Sequence, residues 1–150
     1  MIHSLIRLGR IVLGGVFIYA AYTKLRQPWE LFALSIDSYR ILPSWAVIGV
    51  ARTLPLLELL IGTLLVVGFW KRVAASAATI LLATFLAIMV RAYFGELNID
   101  CGCFGIGQAL GPMTLVRDSL LVLLSLAVTL GLFLAPETRA KGQTKRPLQV

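Results

Sequence analysis

Apolar residues fall along this chain in long runs separated by short polar stretches. Residues 8–22, 45–69, 73–94 and 114–135 are apolar over most of their span. A helix crossing a bilayer core takes about 20 such residues, so each run predicts a membrane-spanning helix, with ends defined to within a few residues. The second run contains Arg52 and Pro55. Pro55 lacks a backbone N–H and predicts a kink, so residues 45–53 read as an entry through the interface and 55–69 as the deeper part. Ser44, directly after Pro43, is the expected N-cap.

The connections differ in kind. Residues 25–44 hold Pro28, Trp29, Pro43 and several charges, and predict a short interfacial helix over 28–39. Residues 68–72 predict a tight turn carrying Lys71 and Arg72. Residues 95–112 hold five glycines and both cysteines, Cys101 and Cys103. After Pro136 the chain turns polar and basic and reads as a disordered tail. The expected architecture is all-α: one four-helix transmembrane domain over 1–135, a Gly-rich Cys-Gly-Cys loop between the third and fourth spans, and a tail over 136–150. The first run reads as a span rather than a cleaved signal sequence, because no clean small-x-small site precedes a polar start.

Composition supports this class. Hydrophobic residues make up 59% of the chain and charged ones 14%, against about 45–50% and about 25% in soluble domains. The formal charge is +7. In a soluble protein that would suggest nucleic acid, but here the basic residues flank apolar runs, as membrane insertion uses them. The expected partner surface is therefore the lipid bilayer, with no nucleic acid. Eight Lys and Arg lie with the termini and the 71–72 turn, and six with the two longer loops. This balance orients both termini toward the cytoplasm and the cysteines toward the periplasmic face of a bacterial inner membrane. A single His excludes a haem held by two histidines, and its distance from the cysteines excludes a four-ligand zinc site within one chain. No metal is expected.

Small and polar residues mark helix contacts in lipid. They predict inward faces of Gly14, Phe17, Ala21 and Lys24 in the first span, and of Pro55, Glu58, Gly62, Leu65 and Phe69 in the second. In the third span they predict Ser76, Thr79, Ala83, Ala87 and Arg91, and in the fourth Thr114, Arg117, Leu121, Ser125 and Thr129. Charge sits at one end of these faces, the cysteine end. An ionised side chain inside the bilayer costs at least about 2.5–3.5 kcal/mol, so Glu58 needs a partner, and Lys24, Arg91 and Arg117 are the candidates. The cluster reads either as ion pairs that fix helix register or as a polar pocket for a ligand or a proton.

Cys101 and Cys103 stand two positions apart around Gly102. A bridge this short demands a strained turn, which Gly102 tolerates. Closing so small a loop stabilises little, and strained, exposed disulfides are the labile ones. Exchange chemistry therefore suits this pair better than structural stapling. An inert pair and metal ligands shared across a dimer are the other readings. Arg91 or Arg117 nearby would favour the thiolate and Glu96 or Asp100 would oppose it. Asp100 is also placed to move a proton.

Four stretches together resemble the methylamine utilisation protein MauE family, within the DoxX-like group of small membrane proteins. They are Thr23-Lys24-Leu25, Leu54-Pro55-Leu56-Leu57-Glu58 leading to Gly62, Asp100-Cys101-Gly102-Cys103-Phe104-Gly105, and Thr114-Leu115-Val116-Arg117-Asp118. The resemblance implies a four-helix membrane bundle that makes or maintains disulfides in an exported protein, beside a thioredoxin-like partner. In the type system that exported protein is the disulfide-rich small subunit of methylamine dehydrogenase. DoxX-like relatives include a subunit linked to quinone-dependent sulfur oxidation. The implied functional residues are Cys101 and Cys103, supported by Lys24, Glu58 and Arg117. Electrons would leave to the thioredoxin-like partner or to a quinone, the candidate cofactor, held near Lys24, Glu58 and Arg117. The alternatives are a non-catalytic membrane anchor or assembly subunit, and a quinone-binding subunit of a sulfur-compound oxidoreductase.

Overall fold

A computed structural model describes residues 2–95, 100–102 and 105–134. It contains five helices: α1 (Ile2–Leu25), α2 (Trp29–Ser38), α3 (Ser44–Val67), α4 (Lys71–Phe94) and α5 (Pro112–Leu134). Four of them, all but α2, are long and apolar enough to cross a membrane. The expected tail and Cys103 lie outside the described residues.

Local chemistry sets the helix ends. α2 begins directly after Pro28 and carries Glu30 in its first turn, where the helix dipole favours an acid. It is the short helix expected over 28–39. It stops where Arg40 turns left-handed (φ 52°), with the Arg40 N–H donating to the carbonyl of Asp37 at 2.9 Å. Pro43, not Ser44, holds the N-cap of α3: its backbone is extended and its carbonyl accepts from the N–H groups of Ala46 and Val47. Ser44 is already helical and makes no side-chain cap. Helix α3 runs on through Pro55, whose missing N–H leaves the Ala51 carbonyl without its helical donor. At its far end Gly68 takes φ +85° and donates to the carbonyl of Leu64, a turn that favours glycine because a Cβ resists it.

Helix α1 packs on α3 and α5, and α4 packs on α3 and α5, so the four spans close a ring in the order α1, α3, α4, α5. α2 lies against α3 outside that ring. The main core joins Leu13 and Phe17 of α1, Ile61 and Leu65 of α3, Ala74, Ala75 and Ala78 of α4, and Val128 of α5. A second cluster, Phe32, Ala51 and Leu54, seats α2. Outward positions stay apolar: Leu5, Leu60, Ile80, Leu120 and Leu123 are all more than half exposed. An exposed apolar surface of this extent matches lipid rather than water.

The segment expected as a plain loop carries a short antiparallel pair, β1 (Asp100–Gly102) and β2 (Gly105–Ala109). The register shifts between Asp100 and Gly102. Both strands lie against α2, and β2 also reaches α1.

The expected faces of α1 and α3 are buried, apart from Phe69, which lies beyond the end of α3 and is 60% exposed. The expected face of α4 is corrected. Ala83, Ala87 and Arg91 are exposed, while Ala74, Ala75, Ala78, Met89 and Ala92 are buried. The reason is geometric: with about 100° per residue, each four-residue step advances a stripe by about 40°. A stripe that faces α5 at Thr79 has turned outward by Arg91.

Candidate functional site

Lys24 stands in the last turn of α1, and Glu58 sits one turn beyond Pro55 in α3. The Lys24 ammonium donates to both carboxylate oxygens of Glu58, at 2.7 and 2.8 Å. Both side chains are almost fully buried, 1% and 6% exposed. Two-oxygen pairing of this kind is what makes buried charge tolerable where water is absent. The rings of Phe32 from α2 and Phe85 from α4 lie 5.5 and 5.9 Å from the Lys24 Nζ. Their negative faces add attraction for the ammonium.

Asp118 of α5 completes this end of the bundle. It is buried, and its Oδ1 accepts from the Nε of Arg117 at 3.0 Å. Its Oδ2 is buried and has no hydrogen-bond partner among the described residues. Lys24, Glu58 and Asp118 line a cavity of about 40 Å³, walled by Phe17, Leu81 and Phe85. Beside it an apolar trough of about 370 Å³ runs between α2, α3 and α4, and Leu81 and Phe85 line both spaces.

Of the three basic residues considered for Glu58, the structure brings Lys24 to it. Arg117 pairs with Asp118 and its side chain is 37% exposed. Arg91 is exposed and does not line the cavity. Asp100 and Cys101 lie in β1, and Cys103 lies outside the described residues. Among the described residues no cluster of His, Cys, Asp and Glu is arranged to hold a metal ion.

Two features escape a reading based on small and polar residues. Asp118 shares the buried stripe of α5 with Ser125 and Val128. Stepping back seven positions from Ser125 would have selected it over Arg117. Phe32 and Phe85 carried no signal of their own, since an aromatic at helical spacing is ordinarily core.

Chemically, the site offers a paired ammonium and carboxylate and an open carboxylate oxygen, next to an apolar channel. It can hold a small polar group and exchange a hydrogen bond or a proton with it. Ring order, spans and site together define a small multi-pass membrane protein with a polar pocket at one end of a four-helix bundle.

The chain belongs to the family described as "Methylamine utilisation protein MauE", whose pattern matches residues 2–133. It is 36% identical over 139 residues to the methylamine utilization protein MauE of Paracoccus denitrificans, covering 90% of this chain and 74% of that one. It is 34% identical over 136 residues to the protein of the same name from Paracoccus versutus, covering 89% and 71%. With the Methylorubrum extorquens protein of that name it shares 35% over 120 residues, covering 78% and 64%. No solved structure gives a significant match.

Proposed function

We propose that this chain is the membrane component of a periplasmic thiol–disulfide exchange system, acting through Cys101 and Cys103 in the service of methylamine utilisation. Its partners are a thioredoxin-like protein and an exported protein that acquires disulfides. It sits in the bacterial inner membrane, with both termini in the cytoplasm and the cysteine hairpin outside.

The observation that supports this reading is the position of the hairpin. Strand β1, which contains Cys101, packs on α2, and β2 leads within three residues into α5, the helix that bears Asp118. The cysteine-bearing segment and the Lys24–Glu58–Asp118 pocket therefore occupy one end of the bundle. In the exchange, a thiolate of the exported protein attacks one sulfur of the Cys101–Cys103 bridge. The bridge breaks, a mixed disulfide forms, and the other cysteine leaves as a thiolate and takes up a proton. A second thiolate of the exported protein then attacks the mixed disulfide. It releases the exported protein oxidised and leaves Cys101 and Cys103 as a dithiol. The oxidised disulfide of the thioredoxin-like partner takes the two electrons and restores the bridge.

Single Cys101→Ser and Cys103→Ser variants test the scheme. At least one is expected to accumulate a partner as a mixed disulfide that a reductant dissolves, and both are expected to insert normally and lose exchange. Full exchange activity in both single variants would overturn the reading.

A further inference from the structure

We propose that the small cavity and the adjoining trough form one binding site for a membrane lipid that bears a free hydroxyl, its hydroxyl end against Asp118 and Lys24 and its chain in the trough. The proposal does not depend on the cysteine chemistry.

Three observations carry it. First, Asp118 is buried to 6% exposure, lines the cavity, and leaves Oδ2 without a hydrogen-bond partner among the described residues. A buried carboxylate oxygen left unpaired is costly, so the site is short of one donor. Second, Lys24 gives two N–H groups to Glu58, and an ammonium has three. The cavity thus has one open acceptor, and Lys24, which lines it, keeps one N–H that Glu58 does not take; a hydroxyl answers both, donating to Asp118 and accepting from Lys24. Third, size fixes the shape of the ligand. The cavity of about 40 Å³ has room for about three water-sized groups, at about 10–15 Å³ each. That suits a hydroxyl or hydroxymethyl end, not a phosphate headgroup. The trough is roughly nine times larger and its lining, including Phe32, Leu54 and Ile88, is nearly all apolar. It suits a hydrocarbon chain. Leu81 and Phe85 line both, so the two spaces adjoin across these side chains.

The test uses the full chain purified in detergent and a farnesol probe carrying a photoactivatable diazirine on its chain. Cross-linking is expected on peptides of α2 and α4 that line the trough. Unlabelled farnesol is expected to compete at least tenfold better than its methyl ether, which keeps the chain and loses the donor. Asp118→Leu is expected to lower labelling at least fivefold, and Leu81→Trp to abolish it. Competition by a diacylglycerol, against competition by farnesol alone, distinguishes a glycerolipid from an isoprenoid alcohol as the source of the hydroxyl. The alcohol and ether comparison is made on the unaltered protein, so it holds even if a variant fails to fold. Equal competition by alcohol and ether, or labelling confined to peptides outside the trough, would overturn the proposal.

Discussion

Helices α1 and α3 meet by different means from helices α4 and α5. Along α1 and α3 the backbones touch: a Cβ at Gly62 would lie 2.9 Å from the Gly14 carbonyl oxygen, and one at Gly14 would lie 2.9 Å from that of Gly62. Above that contact the same two helices share the Lys24–Glu58 pair. At mid-span α4 and α5 meet through a neutral seam, with Thr79 Oγ1 2.6 Å from Ser125 Oγ and 2.9 Å from Thr129 Oγ1. Hydroxyls of this kind hydrogen-bond across helices in lipid. The middle of the second pair of helices thus packs on neutral hydroxyls, its charges, Arg72 and Asp118, standing toward the two ends. Glycine contact already brings α1 and α3 together, so the proposed lipid site gives the ion pair added there, next to an unpaired carboxylate oxygen, a use other than packing.

The largest break in this comparison is Glu58→Ala. It leaves the Lys24 ammonium buried without its partner and is expected to cost about 3–5 kcal/mol, read as thermal unfolding in detergent. The sharper form is the double change Lys24→Met with Glu58→Leu, which removes both charges and keeps volume. It is expected to recover most of that stability while losing binding of the hydroxyl probe. A double variant as unstable as Glu58→Ala would make the pair structural and undo the contrast. Next in size is Gly62→Val, which forces α1 from α3 and is expected to cost about 1–3 kcal/mol through overpacking. Smallest is Ser125→Ala. One interhelical hydrogen bond in a membrane is worth about 0.6 kcal/mol on average, and Thr79 keeps Thr129, so the midpoint should move only slightly. A loss in Ser125→Ala equal to that in Glu58→Ala would reverse the ranking.

Much of this architecture is legible in the sequence because lipid imposes length and apolarity together. The four spans follow from that, and so does α2, bounded by Pro28 on one side and by the turn before Pro43 on the other. Gly14, Phe17, Ala21 and Lys24, and Pro55, Glu58, Gly62 and Leu65, could be placed inward because both faces are short and carry small or charged residues. The pairing of Lys24 with Glu58 needed the fold, since three basic residues competed for one acid. The far half of α4 departs from its expected face because a four-residue stripe winds around the helix, so Thr79 and Arg91 cannot face one neighbour. Asp118 is legible with Arg117 among the charges at the cysteine end, but not which of the two is buried, since one position separates a buried side chain from a partly exposed one. The trough was illegible, because a gap between three helices depends on how α2 sits, and only the packing of Phe32 on Ala51 and Leu54 decides that.

The most direct measurement is the redox state and sidedness of Cys101 and Cys103 in intact cells, read with a membrane-impermeant maleimide before and after mild reduction. The account predicts labelling that appears only after reduction, as a reducible disulfide on the outer face would give. Labelling without prior reduction, or only after lysis, would contradict it.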